Sequence, residues 1–209
     1  MQIAIIGTGN VGSALGKRWA ATGHQIVFGS REPNSPKIQA LLAVTGPTAR
    51  AASVSEAVAG AEVVVLSTPW PATQAIVESI GDWAGKILVD CTNPIGPGFQ
   101  LAVGMTTSGG EQVAGWAKGA RLVKAFNTTG AENMADPIYD GQPITMFICG
   151  DDAEAKVVVT QLAGDLGFEV VDTGALMLAR YLEPLAMVWI HLAAVQGLGR
   201  NIAFKLVRR

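Results

Sequence analysis

The sequence predicts an α/β fold in which helices cover both faces of a doubly wound, mainly parallel sheet. Two observations lead to this prediction. Short apolar runs alternate with helical segments from Ile3 to Asp90, which is typical of βαβ units and of parallel sheets. The chain also begins with MQIAIIGTGNVG, where an apolar run leads directly into closely spaced glycines. In such a sheet a ligand is expected across the carboxyl ends of the strands, where the strand order reverses.

The first predicted unit is a buried strand, a glycine turn and a helix. Residues 3–6 are apolar without helical spacing, and the glycines that follow have the spacing G-x-G-x-x-G. The first glycine allows a tight turn, the second lets a pyrophosphate approach the backbone, and the third lets the helix lie close to the strand. The helix, residues 11–22, begins with free N–H groups and a partial positive charge. We therefore expect a dinucleotide here; the alternative is a plain glycine turn.

The remaining elements follow from the same signals of periodicity, capping and turn residues. Predicted strands cover residues 25–30, 49–52, 62–68, 86–90, 121–126, 144–149 and 169–172. Predicted helices cover residues 37–43, 54–59, 71–80, 111–117, 153–166 and 176–197. Ser53 or Ser55 is the expected cap of the helix at 54–59, residues 95–110 are expected to be a loop, and Pro184 is expected to bend the last helix.

The chain divides into a dinucleotide-binding domain, residues 1–175, and a helical C-terminal segment, residues 176–209. This last helix is apolar on nearly every side, which indicates burial on every side. Its own sheet can cover only part of it, so a second subunit in a two-fold dimer is expected to cover the rest. The alternative is a monomer that buries the helix within itself. The apolar positions are Leu185, Met187, Val188, Trp189, Ile190, Leu192 and Val195.

Composition restricts the classes of protein to consider. Hydrophobic residues make up 49 % of the 209 residues and charged residues 15 %, which is enough for a large core; the net charge is −2, so no nucleic-acid partner is expected. The longest apolar run, residues 185–195, is short of the roughly 20 residues of a membrane span. No leader pattern is visible, and Cys91 and Cys149 are too few for a disulfide framework. A cytoplasmic protein that does not bind membranes is expected.

The end of the second strand indicates which dinucleotide is bound. An NAD site usually has a carboxylate here to hold the ribose 2′-OH, but this strand ends in Gly29-Ser30-Arg31. Arg31 can hold a 2′-phosphate through two hydrogen bonds, with Ser30 and Lys37 in support. NADP is therefore expected over NAD. Two alternatives remain: Glu32 could serve NAD, and Arg31 could be a solvated cation.

Four motifs, taken in order, resemble a known family: Gly7-Thr8-Gly9-Asn10, Gly29-Ser30-Arg31, Thr68-Pro69-Trp70 and Lys124-Ala125-Phe126-Asn127. The chain resembles the coenzyme F420-dependent NADP oxidoreductases over nearly its whole length. It is also similar to the cytosolic domain of the STEAP metalloreductases, through GSREP, LVDCTNP, VKAFN and ICGDD. The resemblance implies a Rossmann-type NADP domain with a short helical C-terminal part, usually as a homodimer. It also implies hydride transfer between NADP(H) and a deazaflavin, coenzyme F420, or a flavin ring.

The resemblance also implies roles for individual residues. The turn at Gly7, with Thr8, Gly9, Asn10 and Val11, would cradle the pyrophosphate, and Ser30, Arg31 and Lys37 would hold the 2′-phosphate. The residues expected around the ribose and nicotinamide are Thr68, Pro69, Trp70, Asn93, Pro94, Ala125, Phe126 and Asn127. The residues expected on the acceptor side are Trp70, Thr128, His191 and Leu198.

Two departures from the deazaflavin enzymes leave the acceptor open. Lys37 lies two residues further from Arg31 than their usual lysine, and residues 92–98 are closer to the metalloreductase pattern. An imine or carbonyl substrate is kept as an alternative acceptor, and a nucleotide-binding redox sensor without catalysis is kept as an alternative to an enzyme.

The ionisable residues add little chemistry of their own, which fits transfer between two ring cofactors. His24 is expected in a surface loop, and His191 either in the core or at a site wall. Trp70 could stack on a ring or belong to the core. Asp151 and Asp152 are expected to cap a helix, and no metal site is expected because no His, Cys and Asp cluster has ligand spacing.

Overall fold

A computed structural model describes residues 1–209 and shows an α/β fold with one large sheet and helices on both faces. The strands are β1 (Gln2–Ile6), β2 (Gln25–Gly29), β3 (Ala49–Ala52), β4 (Val63–Leu66), β5 (Ile87–Asp90), β6 (Ile95–Gly96), β7 (Gln100–Leu101), β8 (Arg121–Lys124), β9 (Ile138–Tyr139), β10 (Gln142–Pro143), β11 (Thr145–Gly150) and β12 (Glu169–Asp172). The helices are α1 (Asn10–Ala21), α2 (Pro36–Thr45), α3 (Val54–Ala59), α4 (Trp70–Glu78), α5 (Gly109–Trp116), α6 (Ala131–Ala135), α7 (Ala153–Asp165) and α8 (Ala179–Ile190).

The main sheet has eight strands in the order β12-β11-β8-β5-β4-β1-β2-β3. Six neighbouring strands, from β8 to β3, are parallel, and β11 pairs with β8 in the antiparallel direction. The order reverses between β1 and β4, so the carboxyl ends of these strands form the crevice where a doubly wound sheet binds its ligand. The predicted fold class is confirmed.

Two apolar cores lie on opposite faces of the sheet, because neighbouring residues of a strand point to opposite sides. Ile3 and Ile5 of β1 belong to the core beneath α1 and α7, with Leu15 and Trp19. The alternate residues of β1, Ala4 and Ile6, belong to the core beneath α3 and α4. Because β1 is buried on both faces, it reads as a continuous apolar run.

Helix caps follow the sequence closely. Ser53 Oγ accepts the N–H of Glu56 and the Glu56 side chain accepts the N–H of Ser53, which forms a capping box at α3. Ser108 caps α5 by accepting the N–H of Glu111, and Asp152 caps α7 by accepting the N–H of Ala155. The predicted cap at Ser53 and the predicted capping role of Asp152 are thus confirmed.

The C-terminal segment differs from the prediction of one helix over residues 176–197. A single 3-10 turn, Leu176–Leu178, precedes α8, and a π-helical turn, His191–Val195, follows it. Pro184 lies inside α8, where its missing N–H removes one helical hydrogen bond. The chain then returns to the sheet, where the N–H of Thr145 donates to the carbonyl of Phe204 (3.1 Å).

The apolar helical stretch of the C-terminal segment is longer than the apolar run at residues 185–195 that was taken from the sequence. Leu176–Val195 is long and apolar enough to cross a membrane by length and composition: 18 of its residues have a mean hydropathy of 1.2, and 33 % of these are buried. A mostly buried core helix of a soluble protein meets the same criterion. Glu183, inside this stretch, is ion-paired with Lys124 of the sheet, which attaches the helix to the domain.

Several local predictions are corrected. The expected loop at residues 95–110 contains the hairpin β6–β7, and α6 and the hairpin β9–β10 are additional elements. His24 is not a surface residue: it is 7 % exposed, and its Nε2 lies 3.1 Å from Asp165 Oδ2. The reason is tertiary, because α7 covers the turn between α1 and β2.

The two cysteines are free and buried. Burial raises the pKa of the Cys91 thiol, and it raises that of Cys149 to about 12. Since the thiolate is the reactive form, neither cysteine is a ready nucleophile.

Candidate functional site

The glycine turn after β1 is closed by contacts that only glycine allows. Gly7 has φ +109°, and a Cβ there would lie 2.5 Å from the carbonyl oxygen of Ser67. A Cβ on Gly12 would lie 2.0 Å from the carbonyl oxygen of Gly7. Ser67 Oγ, at the end of β4, donates to that same oxygen at 2.9 Å. The two strands that flank the crevice are therefore joined directly at the turn.

Gly9 has a different environment from the other two glycines. A Cβ at Gly9 would meet nothing within 4 Å, so the space beside it is open to a ligand. Gly9 is also the N-cap of α1 and provides no side-chain cap. The N–H groups of Asn10, Val11 and Gly12 have no acceptor in the protein, and the first helical hydrogen bond is that of Ser13 to Gly9 (3.0 Å). Free N–H groups beside an open cradle fit the pyrophosphate of a dinucleotide.

The end of β2 presents unpaired charge at the same edge. Arg31, Glu32 and Lys37 are exposed, and none of them takes part in an ion pair. Ser30 is fixed on both sides: its N–H donates to Ala52 (3.0 Å), and its Oγ accepts the N–H of Glu32 (3.1 Å). Two cations against one carboxylate suit a phosphate group better than a ribose hydroxyl.

The end of β4 is rigid and leads into α4. Thr68 is buried, and its Oγ1 lies 2.9 Å from Thr73 Oγ1. Pro69 is the N-cap of α4 and is exposed. Trp70 is half-buried, with its ring 5.6 Å from that of Trp116 at an angle of 36°. Trp70 therefore has a partner in the protein and still shows part of its surface at the edge.

The ends of β5 and β8 are joined by an asparagine pair. Asn93 Nδ2 donates to the carbonyl of Asn127 (2.9 Å), and Asn127 Nδ2 donates to Asn93 Oδ1 (3.1 Å) and to the carbonyl of Leu182 (3.2 Å). Asn127 Oδ1 is buried and receives no hydrogen bond from the protein. An amide oxygen without a donor fits a site where a ligand N–H, such as a carboxamide, completes the bonding.

The side chain of Phe126 points away from this edge. It lies in the core, with ring centroids 5.6 Å from Trp19 and 6.1 Å from Phe168. Its φ is +61°, an uncommon conformation for an aromatic residue. Ala125 is also fully buried. Of the predicted residues 125–127, the first two can therefore offer only backbone atoms to a ligand.

The predicted acceptor-side residues differ in exposure. Thr128 is 2 % exposed, whereas Leu198 is 60 % exposed. His191 is exposed too, so the expectation of a core histidine is wrong. The backbone hydrogen bonds of His191 and Leu198 stay within the C-terminal segment. Their place beside an acceptor stays a prediction.

A buried charge cluster next to the asparagine pair was not expected from the sequence. Lys124 Nζ lies 2.9 Å from Asp90 Oδ2 and 2.8 Å from Glu183 Oε1, and all three side chains are at most 1 % exposed. Burial lowers the pKa of Lys124, but the two carboxylates raise it more, so the pKa is above its usual value and the ammonium stays charged. The sequence does contain one signal for this cluster: each of the three charged residues lies in a mainly apolar strand or helix, where a charged residue is seldom buried without a partner.

The fold and the residues at the carboxyl edge of the main sheet define a class of protein. A doubly wound sheet with a glycine cradle, free N–H groups at α1 and one cation at the end of β2 with a second at the start of α2 is a dinucleotide-binding oxidoreductase domain of the Rossmann type. Residues 2–94 match the family model described as NADP oxidoreductase coenzyme F420-dependent.

Comparisons that cover most of this chain identify the family. The chain is 30 % identical over 207 residues to the F420-dependent NADP reductase of Methanothermobacter thermautotrophicus, covering 92 % of this chain and 89 % of that one. A crystal structure of a candidate F420-dependent NADP-reductase from Arthrobacter sp. FB24 is 35 % identical, with a TM-score of 0.90 and full coverage of both chains. The protein belongs to the F420-dependent NADP reductase family and is an NADP-dependent oxidoreductase.

A second relative is longer than this chain. Metalloreductase STEAP3 of Rattus norvegicus is 29 % identical over 186 residues, which are 89 % of this chain and 36 % of the metalloreductase. This chain therefore spans about a third of that protein, and the likeness concerns that part of it alone.

Proposed function

We propose that the protein transfers hydride between NADP(H) and a ring acceptor of the deazaflavin class, coenzyme F420, with a flavin as the close alternative. One observation carries the choice of a ring acceptor. The side chains expected around the nicotinamide are hydroxyl, amide, indole and proline groups, and none of them titrates near neutral pH. The nearby ionisable groups, Asp90, Lys124 and Glu183, are buried and bonded to one another.

This lining suits transfer between two stacked rings. Such transfer depends on alignment and on the exclusion of water, while the redox chemistry belongs to the cofactors. Reduction of a carbonyl to an alcohol is normally assisted by a side chain that donates a proton. Apart from His191, whose place beside an acceptor is itself a prediction, the strand ends that border the nicotinamide offer no such side chain, which favours a ring acceptor over an imine or carbonyl substrate.

In this proposal each part of the edge has one task. The turn from Gly7 to Val11 binds the pyrophosphate, while Ser30, Arg31 and Lys37 bind the 2′-phosphate. Bound NADPH supplies the hydride. The groups that border its ribose and nicotinamide are Thr68, Pro69, Trp70, Asn93, Pro94, Asn127 and the backbone of Ala125 and Phe126.

We also propose that the protein is a cytoplasmic homodimer joined through the segment 176–209. The support is an apolar face that one subunit leaves uncovered: Tyr181 is 65 % exposed and Val188 50 %. Within α8, Tyr181, Pro184 and Val188 recur at intervals of three and four residues and so lie on one side of the helix, where a second copy can cover them about a two-fold axis. The other exposed apolar residues of the segment are Met177, Val195 and Leu198.

A panel of acceptors tests the proposed function. Purified protein with NADPH is mixed separately with coenzyme F420, FMN, a cyclic imine and a ketone, and NADPH oxidation is followed optically. The expected result is turnover with coenzyme F420, slower or no turnover with FMN, and none with the other two. Turnover with the imine or ketone alone would overturn the proposal. NADPH binding without turnover of any acceptor would favour a nucleotide sensor.

A further inference from the structure

The cluster of Asp90, Lys124 and Glu183 joins three parts of the chain at one ammonium. Lys124, at the end of β8, donates to Asp90 Oδ2 (2.9 Å) and to the carbonyl of Thr92 (2.6 Å), both at the end of β5. It is also 2.8 Å from Glu183 Oε1 on α8. Two strand ends of the crevice and the C-terminal helix are therefore held at fixed mutual positions.

Each carboxylate of the cluster extends the network. Asp90 Oδ1 accepts the N–H and the hydroxyl of Thr92 at 2.8 and 2.7 Å. Glu183 accepts the N–H of Gly109 (2.8 Å) and of Gly110 (2.9 Å), which begin α5. A Cβ on Gly109 would lie 3.1 Å from Glu183 Oε1 and 3.2 Å from both Pro94 and Trp70. The carboxylate of Glu183 therefore lies close to two residues expected to border the nicotinamide.

The cluster flanks the asparagine pair on both sides. Thr92, which accepts from Lys124, is followed by Asn93, and Glu183 is preceded by Leu182. Asn93 Oδ1 and the Leu182 carbonyl are the two acceptors of the Asn127 amide. The ammonium is thus bonded to Thr92 and Glu183, the chain neighbours of the two residues that accept from Asn127, while Asn127 Oδ1 itself has no donor in the protein.

Cohesion alone does not account for these charges. A buried ion cluster holds elements together no better than apolar groups of the same shape, whereas it can impose one arrangement. The same two helices, α5 and α8, are already joined by a second ion pair, in which Arg180 donates through Nε and Nη2 to Glu111. That outer pair is partly exposed and makes no contact with the asparagine pair.

We propose that Lys124, held by Asp90 and Glu183, is a positioning residue for hydride transfer. It keeps the Asn93–Asn127 pair and α8 in the one arrangement that holds the nicotinamide ring flat against the acceptor. The inference rests on the proposed function in one respect, namely that the nicotinamide lies at the ends of β5 and β8.

Glu183→Gln tests the proposal, with Arg180→Gln as the matched control. Glu183→Gln leaves Lys124 and Asp90 as an ion pair with no net charge. It also places an amide NH₂ group where Lys124 and the N–H groups of Gly109 and Gly110 need an acceptor. Arg180→Gln removes the other ion pair between the same helices. Four quantities are measured for wild type and both variants: the calorimetric Kd for NADPH, the fluorescence lifetime of bound NADPH, and kcat and the KM for NADPH with coenzyme F420 as the acceptor. Asp90→Asn, which leaves a neutral Lys124–Glu183 pair, replaces Glu183→Gln if that variant does not fold.

The expected result is a split between binding and ring alignment. The Kd and KM for NADPH stay close to wild type in both variants, because the phosphate contacts lie at the other end of the crevice. In Glu183→Gln alone, the lifetime of bound NADPH shortens and kcat falls about tenfold or more, since small misplacement of reacting atoms is costly.

Equal lifetimes and equal kcat in Glu183→Gln and Arg180→Gln would overturn the proposal and make the cluster structural only. A wrong assignment of the acceptor would give a different result from a wrong assignment of the cluster. If wild type binds NADPH but does not reduce coenzyme F420, the acceptor assignment fails, while the lifetime comparison still decides the role of the cluster.

Discussion

The exposed guanidinium of Arg31 is the group on which the preference for NADP depends. It has no partner in the protein, so its charge is available to a 2′-phosphate. Arg31→Ala is expected to weaken NADPH binding by about 1.5–3 kcal/mol, the range for a hydrogen bond to a charged group, while NADH binding changes little. Titration of both cofactors by calorimetry measures this.

Glu32→Ala is the control for that substitution. It removes a carboxylate from the same loop and is expected to leave NADPH binding intact or slightly tighter. Equal affinities of the wild-type protein for NADPH and NADH would contradict the assignment of Arg31.

Substitutions at two glycines of the first turn are expected to affect ligand binding and folding differently. Gly9→Val is expected to abolish NADPH binding and to keep the fold, because a Cβ there meets no protein atom within 4 Å and the side chain enters the phosphate space. Gly12→Val is expected to lower the melting temperature as well, since its Cβ would overlap the carbonyl of Gly7. Thermal melts and calorimetry distinguish the two. Normal NADPH binding by Gly9→Val would place the phosphate elsewhere.

At the scale of the element, the sequence predicts the bounds of a strand or helix well where turn residues or helix caps determine those bounds. The strand at residues 49–52, the helix at residues 54–59 and the strand at residues 169–172 have the predicted bounds, because turn residues or a capping box border them. The two-residue strands of the hairpins carry no such pattern and form only against their partners. The division of the last helix was also missed, since apolar composition is the same in an α-helix and in a π-helical turn.

The contact between α5 and α8 predicts a pH dependence. The hydrogen bonds from Arg180 hold the pKa of Glu111 below its usual value of 4.5. A lowered carboxylate pKa stabilises the fold above the unfolded-state pKa, and this stabilisation is lost as the pH falls through the folded-state pKa. Arg180→Gln is therefore expected to lower the free energy of unfolding near pH 7, and the difference from wild type should shrink toward pH 3. Urea titrations at several pH values check this; a constant difference would mean that the pair does not titrate as described.

For the whole molecule, topology made the site predictable and long-range contacts made its charge cluster unpredictable. The carboxyl ends of parallel strands meet at one edge, so residues such as Ser30, Thr68 and Asn93 could be placed together from the strand pattern alone. Lys124 ends its strand as an isolated lysine, and its partners Asp90 and Glu183 are far away in the sequence. Neither spacing nor composition joins them, because only the packing of α8 on the sheet does so.

The uncovered face of the C-terminal segment predicts a dimer. Sedimentation equilibrium at micromolar concentration is expected to give about twice the chain mass of 21.7 kDa, since burial of this face is a large apolar gain. Val188→Glu, which places a charge on the face, is expected to shift the protein toward the monomer. Lys118→Glu, at a position outside that segment, is the control. A mass of one chain at all concentrations would contradict the dimer and the placing of His191 and Leu198 near a shared acceptor.

Direct hydride transfer between two rings is the central claim, and isotope transfer tests it most directly. NADPH carrying deuterium on the transferred side of its nicotinamide is mixed with the protein and coenzyme F420 in ordinary water, and the reduced deazaflavin is analysed by mass spectrometry and NMR. The expected result is deuterium on the carbon of the central ring, with a slower rate than for unlabelled NADPH when chemistry limits turnover. Reduced product without deuterium, or no reduced product, would contradict the claim.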